Sequence, residues 1–242
     1  FAEKFHVHDS GATPVLARRP GNAVLLGYAA LRQDATALRY IYDAAAGILY
    51  RMLRELCGPA FHPRAIELAY ARPADPGFYR NHFDCKVTFN ASVTGVLFDE
   101  RWLAQPLAQS RPGAFRELLD QIAREEQRKA LPWTHRTEHA LQQLLLGGTA
   151  SAPAVAALLH LSERSLRRKL DGEGQSFRDL LAQRRFEYAQ QLLRDTELAI
   201  GDIATVLQYQ DANAFSRAFR AWADCSPSDW RDRGRPPTEP RS

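Results

Sequence analysis

Two short segments in the second half of the chain constrain its folding more than anything else in it. The first runs Ala156-Ala157-Leu158-Leu159-His160-Leu161-Ser162-Glu163-Arg164-Ser165-Leu166-Arg167-Arg168-Lys169-Leu170. The second runs Ile203-Ala204-Thr205-Val206-Leu207 and on to Ala214-Phe215-Ser216-Arg217-Ala218-Phe219. Each reads as an apolar helix, a tight turn, and a second helix with apolar residues on one face and arginine on another. That is a helix-turn-helix pattern, and it recurs after about four dozen residues.

The second helix of each unit carries the chemistry. In the first unit Leu166 and Leu170 share one face and can pack on Leu158, Leu159 and Leu161, while Arg164, Arg167 and Arg168 share another. A guanidinium donates two parallel hydrogen bonds to the O6 and N7 of guanine, or pairs with phosphate. Ser162 is a good N-cap, whose helix N-terminus would point at the groove wall. In the second unit Phe215, Phe219 and Trp222 form an aromatic stripe that reads as core, and Asn213, Ser216, Arg217 and Arg220 lie opposite. Arg164, Arg167, Arg168, Asn213 and Arg217 are therefore expected to read base edges. Ser162, Lys169, Ser216 and Arg220 are expected to hold phosphates. Arginine on one isolated helix is ordinarily solvated surface; two such units in one small helical domain reverse the odds. The stretch Phe177–Arg194 between them reads as a linker helix, suited to hold two recognition helices about 34 Å apart, one turn of DNA.

The rest of the chain bounds this reading. Its 242 residues suit two modest domains, and 45% hydrophobic with 25% charged residues is a globular composition. The net charge of +4 leans weakly toward a nucleic-acid partner, yet from Thr134 onward 15 Lys+Arg face 14 Asp+Glu. Local patterning, not bulk charge, singles out Ser162–Leu170. Cys57, Cys85 and Cys225 are few, odd in number and far apart, as expected of reduced thiols in a cytoplasmic protein. No apolar run approaches membrane-spanning length, so no membrane partner is expected. The chain opens on Phe1 rather than Met, which leaves room for a missing N-terminal segment.

Residues 1–131 mix strand and helix signals. Strands are expected at Val24–Tyr28 and Ala65–Tyr70, with Val87–Phe89 and Val93–Phe98 as a strand pair around Asn90-Ala91-Ser92. Helices are expected at Asp34–Leu56 and Ala114–Ala130. Sheet and helices are segregated, which favours an α+β domain. From Thr137 no strand is expected, only helices at Thr137–Leu146, Ala152–Leu159, Ser162–Leu170, Phe177–Arg194, Ile200–Leu207 and Ala212–Trp222. The division is an α+β domain over 1–131, a connector near Leu131–Arg136, an all-α domain over 135–233 with two helix-turn-helix units joined by a long helix, and a disordered tail over 234–242.

The stretch from about His135 to Arg233 closely resembles the DNA-binding domain of the AraC/XylS family of bacterial transcription regulators. The resemblance rests on Ser162-x-Arg164-Ser165-Leu166-x-Arg168-x-Leu170, Gly174-x-Ser176-Phe177, and Arg185 with Ala189 and Leu192-Leu193. It continues through Ile203-Ala204, Leu207-x-Tyr209, Phe215-Ser216-Arg217-Ala218-Phe219-Arg220-x-Trp222 and Ser226-Pro227. Three positions depart from the family pattern: His160 and Gln208 stand where each turn usually has glycine, and Asp224 where glycine usually precedes Ser226-Pro227. A left-handed turn residue other than glycine costs about 1 kcal/mol, which puts turn geometry in question.

The N-terminal region resembles the arabinose-binding type of sensing domain through Pro73-x-Asp75, Tyr79, Phe83, Cys85, Val87-x-Phe89, Val96-x-Phe98-Asp99, Leu103 and Pro106-Leu107. Family membership implies a transcription activator or repressor that binds double-stranded promoter DNA and works with RNA polymerase. It also implies a small-molecule effector, unidentified and with unknown contact residues, and often a homodimer. The alternative is a DNA-binding regulator whose N-terminal domain is a ligand-free dimerisation or protein-interaction module.

Lesser signals carry less. His6 and His8 lack a third ligand, so a solvated strand end is favoured over a metal site. Cys85 reads as an inert, partly buried thiol rather than a methyl acceptor. No phosphate loop, dinucleotide fingerprint, nucleophile elbow or paired carboxylates are found, so neither an enzyme nor a cofactor nor a metal is expected.

Overall fold

The computed structural model describes residues 12–30, 35–105 and 131–234. The expected helix Ala114–Ala130, His6, His8, Pro106-Leu107 and the tail from 235 lie outside the described residues.

A five-stranded sheet of order β1-β2-β5-β3-β4 organises the first half. Its strands are β1 (Ala12–Arg19), β2 (Ala23–Ala30), β3 (Ala65–Glu67), β4 (Lys86–Thr88) and β5 (Thr94–Asp99). A 23-residue helix, α1 (Ala35–Cys57), and a short one, α2 (Gly77–His82), belong to the same half. The α+β architecture holds, but the expected pairing of the last two strands does not. β5 lies antiparallel between β2 and β3, while β4 pairs in parallel with β3. Asn90, at φ 58°, turns the chain, and the N–H groups of Asn90 and Ala91 bond to the carbonyls of Tyr70 and Leu68. The turn therefore docks on the segment after β3 instead of closing a hairpin. β1 is absent from the strands expected, and β3 ends three residues earlier than expected.

Both faces of the central strands β2 and β5 are covered, and their residues show why. Along β2, Val24, Leu26, Tyr28 and Ala30 pack toward α1, whereas Leu25 and Ala29 pack toward the helical half. Val96 and Phe98 of β5 repeat the first set, and Leu97 the second. A strand alternates its side chains between faces, so a strand covered on both sides reads as a continuous apolar run. Gly27 and Gly95 sit opposite each other in the ladder. A Cβ on Gly95 would stand 2.5 Å from the Leu26 carbonyl oxygen, so the pair permits a close strand approach.

The helical half comprises α3 (Trp133–Leu146), α4 (Ala152–Leu158), α5 (Glu163–Asp171), α6 (Phe177–Asp195), α7 (Ile200–Val206), α8 (Ala212–Ala223) and α9 (Pro227–Gly234). Five expected helices match within a residue at either end. α3 begins four residues earlier, inside the expected connector, because the Glu173 carboxylate accepts from the N–H groups of Trp133 (2.7 Å) and Thr134 (2.8 Å). That cap comes from 40 residues away and leaves no local signature. α9 lies beyond the six helices expected; Ser226 caps it by accepting from Asp229 N–H at 3.1 Å.

Two hydrophobic clusters divide this half. The first unit closes over Leu141, Val155, Ala156, Leu166, Leu170 and Leu180. The second shares one cluster with the sheet: Val15, Ala17, Leu25 and Ala29 meet Leu145, Leu192, Ile203, Leu207, Phe215 and Phe219. Polar links reinforce that contact. Gln191 donates to Tyr42 Oη at 2.7 Å, Ala71 N–H to the Asp195 carbonyl at 2.8 Å, and Glu197 N–H to Asn90 Oδ1 at 2.9 Å.

Candidate nucleic-acid interface

The two units repeat at an offset of 48 residues (160 to 208). α4 ends with Leu161 N–H on the Ala156 carbonyl and His160 N–H on that of Ala157; α7 ends with Tyr209 on Ala204 and Gln208 on Thr205. These are Schellman closures, which place one residue in the left-handed region. His160 has φ 55° and Gln208 φ 60°, and Asp224 ends α8 at φ 53°. All three departures from glycine thus adopt the backbone that glycine would favour. Asn, Asp and His enter this region more readily than other non-glycine residues, so Gln208 is the most demanding.

Each second helix starts on a side-chain cap. Ser162 Oγ accepts from Ser165 N–H at 3.2 Å, and Asp211 Oδ1 from Ala214 N–H at 2.7 Å. Capping fixes where each helix begins and so which residues face outward. On α5, Leu166 and Leu170 are buried against Leu158, Leu159 and Leu161, and Arg164, Arg167 and Arg168 are exposed. Arg167 lies 3.9 Å from Asp171, a solvated pair of small energetic weight. On α8, Phe215 and Phe219 are fully buried, joined by Phe186 and Trp230, while Asn213, Arg217 and Arg220 are exposed and Ser216 is half-buried.

Lys169 differs from its neighbours. It is half-buried, with Nζ 4.0 Å from the Trp133 ring centroid, and the Arg136 guanidinium lies 4.2 Å from that centroid. Ser162 is exposed, but its hydroxyl is already committed to Ser165. A groove of 690 Å³ between α5 and the start of α6 brings Arg164 and Arg167 together with Arg178. Arg178 was missed in the sequence because it sits outside both repeats, although Ser176-Phe177 marks the helix start beside it.

In the N-terminal half Tyr70 and Tyr79 both donate to the Asp43 carboxylate, Tyr79 at 3.1 Å, and Arg39 donates to Tyr79 Oη at 3.3 Å. Burial first, and Asp43 second, push the Tyr70 phenol far up. A cleft of 230 Å³ beside this cluster is lined by Arg39, Tyr42, Tyr70, Ala71, Arg194 and Asp195. Burial pushes the half-buried Cys85 thiol up to about 11, which favours the unreactive form. Among the described residues no group of three His, Cys, Asp or Glu could hold a metal, and no helix is long and apolar enough to cross a membrane.

Residues 155–233 match the family model for a helix-turn-helix domain, and residues 2–107 match that for the arabinose-binding domain of AraC transcription regulator, N-terminal. The chain is 27% identical over 193 residues to the transcriptional regulator VirS of Mycobacterium tuberculosis, covering 80% of this chain and 57% of that protein. It is 30% identical over 199 residues to the ornithine utilization regulator of Pseudomonas aeruginosa, covering 78% and 57%. Among solved structures, the transcriptional regulator CdpR of Pseudomonas aeruginosa is 24% identical at a TM-score of 0.45, covering 95% of this chain and 76% of that one. The chain therefore spans little more than half the length of the curated relatives it matches. With its five-stranded sheet half, its duplicated helix-turn-helix half and both family models in register with them, the chain belongs to the AraC family of transcriptional regulators.

Proposed function

We propose that this chain is a cytoplasmic transcription factor that binds promoter DNA through α5 and α8 and is controlled by a small molecule at its N-terminal domain. The functional units are 1–131 and 135–233. The observation that carries the reading is the exact-offset pair of Schellman turns, each followed by a capped helix with a buried apolar face and exposed arginine. Arg164, Arg167, Arg168, Asn213 and Arg217 read bases; Ser162, Lys169, Ser216 and Arg220 hold phosphates, with Lys169 and Ser162 at the edge because both are committed internally. RNA polymerase is the downstream partner. The 230 Å³ cleft beside Arg39 and Tyr70, where the sheet half meets α6, supports effector control.

A second reading, in which the N-terminal domain is a ligand-free dimerisation or interaction module, draws on α1. Its outer face presents Tyr40 (70% exposed), Ile48 (66%) and Leu56 (45%) to solvent. Selection of fragmented genomic DNA on the protein near physiological salt, followed by sequencing, tests the DNA reading. Two short elements one helical turn apart are expected, and no enrichment with or without added metabolites would sink it. A metabolite panel read by melting temperature separates effector control from the interaction module, because a ligand of the native state must raise it.

A further inference from the structure

We infer that Arg185, which lies in α6 and outside both recognition helices, is a positioning residue that sets how α8 meets DNA. The inference rests on the proposed DNA reading. Gln208 is the one turn residue of the pair with a long unbranched side chain in the left-handed region, and the structure holds it from two sides. Arg185 Nη2 donates to the Gln208 backbone carbonyl at 3.1 Å, and its guanidinium lies 4.7 Å from the centroid of the Tyr209 ring. The Gln208 side-chain amide in turn donates to the Leu145 carbonyl near the end of α3 at 3.3 Å. The turn leading into α8 is thereby fastened to both α3 and α6. His160, its counterpart in the first unit, is exposed, and among the described residues its side chain makes no hydrogen bond.

The consequence is specific to one unit. α8 begins four residues after Gln208, so the orientation of the turn sets the direction in which Asn213, Arg217 and Arg220 project. A helix displaced by about 1 Å misplaces groups that must pair with base edges. The fastening also repays the strain of a non-glycine residue at φ 60°, a cost that the first unit meets with histidine.

The test compares the DNA selected by wild type, Arg185→Met and Arg185→Lys. Met keeps the apolar stem and removes the donors; Lys keeps a charge and N–H donors but loses the planar fork. Arg185→Met is expected to lose base preference in the element read by α8 by tenfold or more, with preference in the α5 element unchanged, and Lys is expected to restore part of it. Equal weakening across both elements would mean a purely structural role and would overturn the inference, as would wild-type preferences retained by the Met variant. Amide exchange on the DNA-free protein supplies a readout independent of the selection. Faster exchange confined to residues 208–214 in Arg185→Met supports the inference, and unchanged exchange there refutes it. If wild type itself selects no two-element site, the DNA reading fails instead, and the two failures are distinct.

Discussion

The side-chain amide of Gln191 donates to the phenol oxygen of Tyr42 across 2.7 Å, joining α6 to α1 through the buried junction of the two halves. The Tyr42 hydroxyl in turn donates a hydrogen bond to the Ala30 carbonyl at 3.3 Å. Tyr42→Phe leaves a buried amide donor without a partner and is expected to cost about 1–3 kcal/mol by chemical denaturation. Adding Gln191→Leu removes the orphaned donor and should recover part of that loss. A double variant less stable than the sum of the singles would contradict this account.

Alkaline stability follows from the same phenol. Burial pushes Tyr42 up to about 12 from an ordinary 10, and Tyr70 and Tyr188 are raised as well. The unfolded chain then loses these protons first, so their contribution is complete below pH 10 and declines as pH rises through the folded values. Tyr42 alone accounts for about 2–3 kcal/mol. Unfolding curves between pH 9 and 12 should show a steep loss in wild type and a shallower one in Tyr42→Phe.

Glu173 tests the remote cap on α3. Burial, the largest single influence, raises its pKa, but the hydrogen bonds from Thr134 and Trp133 and the charge of Lys169 together outweigh it and lower the carboxyl below its ordinary value. Glu173→Ala should cost about 1 kcal/mol at neutral pH, the usual worth of a cap. Because the folded pKa is depressed, the contribution is present above the ordinary glutamate range and lost as pH falls through the folded value. The gap in melting temperature between wild type and variant should close in acid.

The turn residues predict an asymmetry. His160→Gly relieves a left-handed residue without removing a side-chain bond among the described residues, and is expected to stabilise by about 0.5–1 kcal/mol. Gln208→Gly also breaks the bond to the Leu145 carbonyl and should gain less, or lose. Urea titration of both variants decides the point; an equal gain would show that the Gln208 amide contributes nothing.

On DNA, Arg168→Ala is expected to cost about 1–3 kcal/mol and to relax preference at one position of the site. Arg220→Ala should weaken all sequences alike and lower the salt slope by about 1. Binding titrations on several sequences at several salt concentrations check both. Indistinguishable behaviour of the two variants would refute the division into base and phosphate contacts.

The helical half was legible because its signals are local. Ser162 before Glu163, Phe215 four residues before Phe219, and Leu166 four before Leu170 all state their roles within one or two helical turns. The sheet half was less so. Whether Val87–Thr88 pairs with the strand after it or with β3 depends on where Asn90 and Ala91 find carbonyl partners, some twenty residues earlier in the chain. β1 was missed because its apolar residues Val15, Leu16 and Ala17 form too short a run between Pro14 and Arg18 to stand out.

By itself, then, the sequence determined two helix-turn-helix units, the Ser162 cap of the first, and their buried and exposed faces; the family resemblance added the turn positions His160, Gln208 and Asp224. Each depends on hydrogen bonds and side-chain spacings within a few residues. Tertiary structure alone decided the strand order, the fusion of the second unit's core with the sheet, the occupation of Lys169 by Trp133, and the hold of Arg185 on Gln208. Those depend on which distant surfaces meet, and hydrophobic burial, having no direction of its own, leaves that choice to the packing of the whole chain.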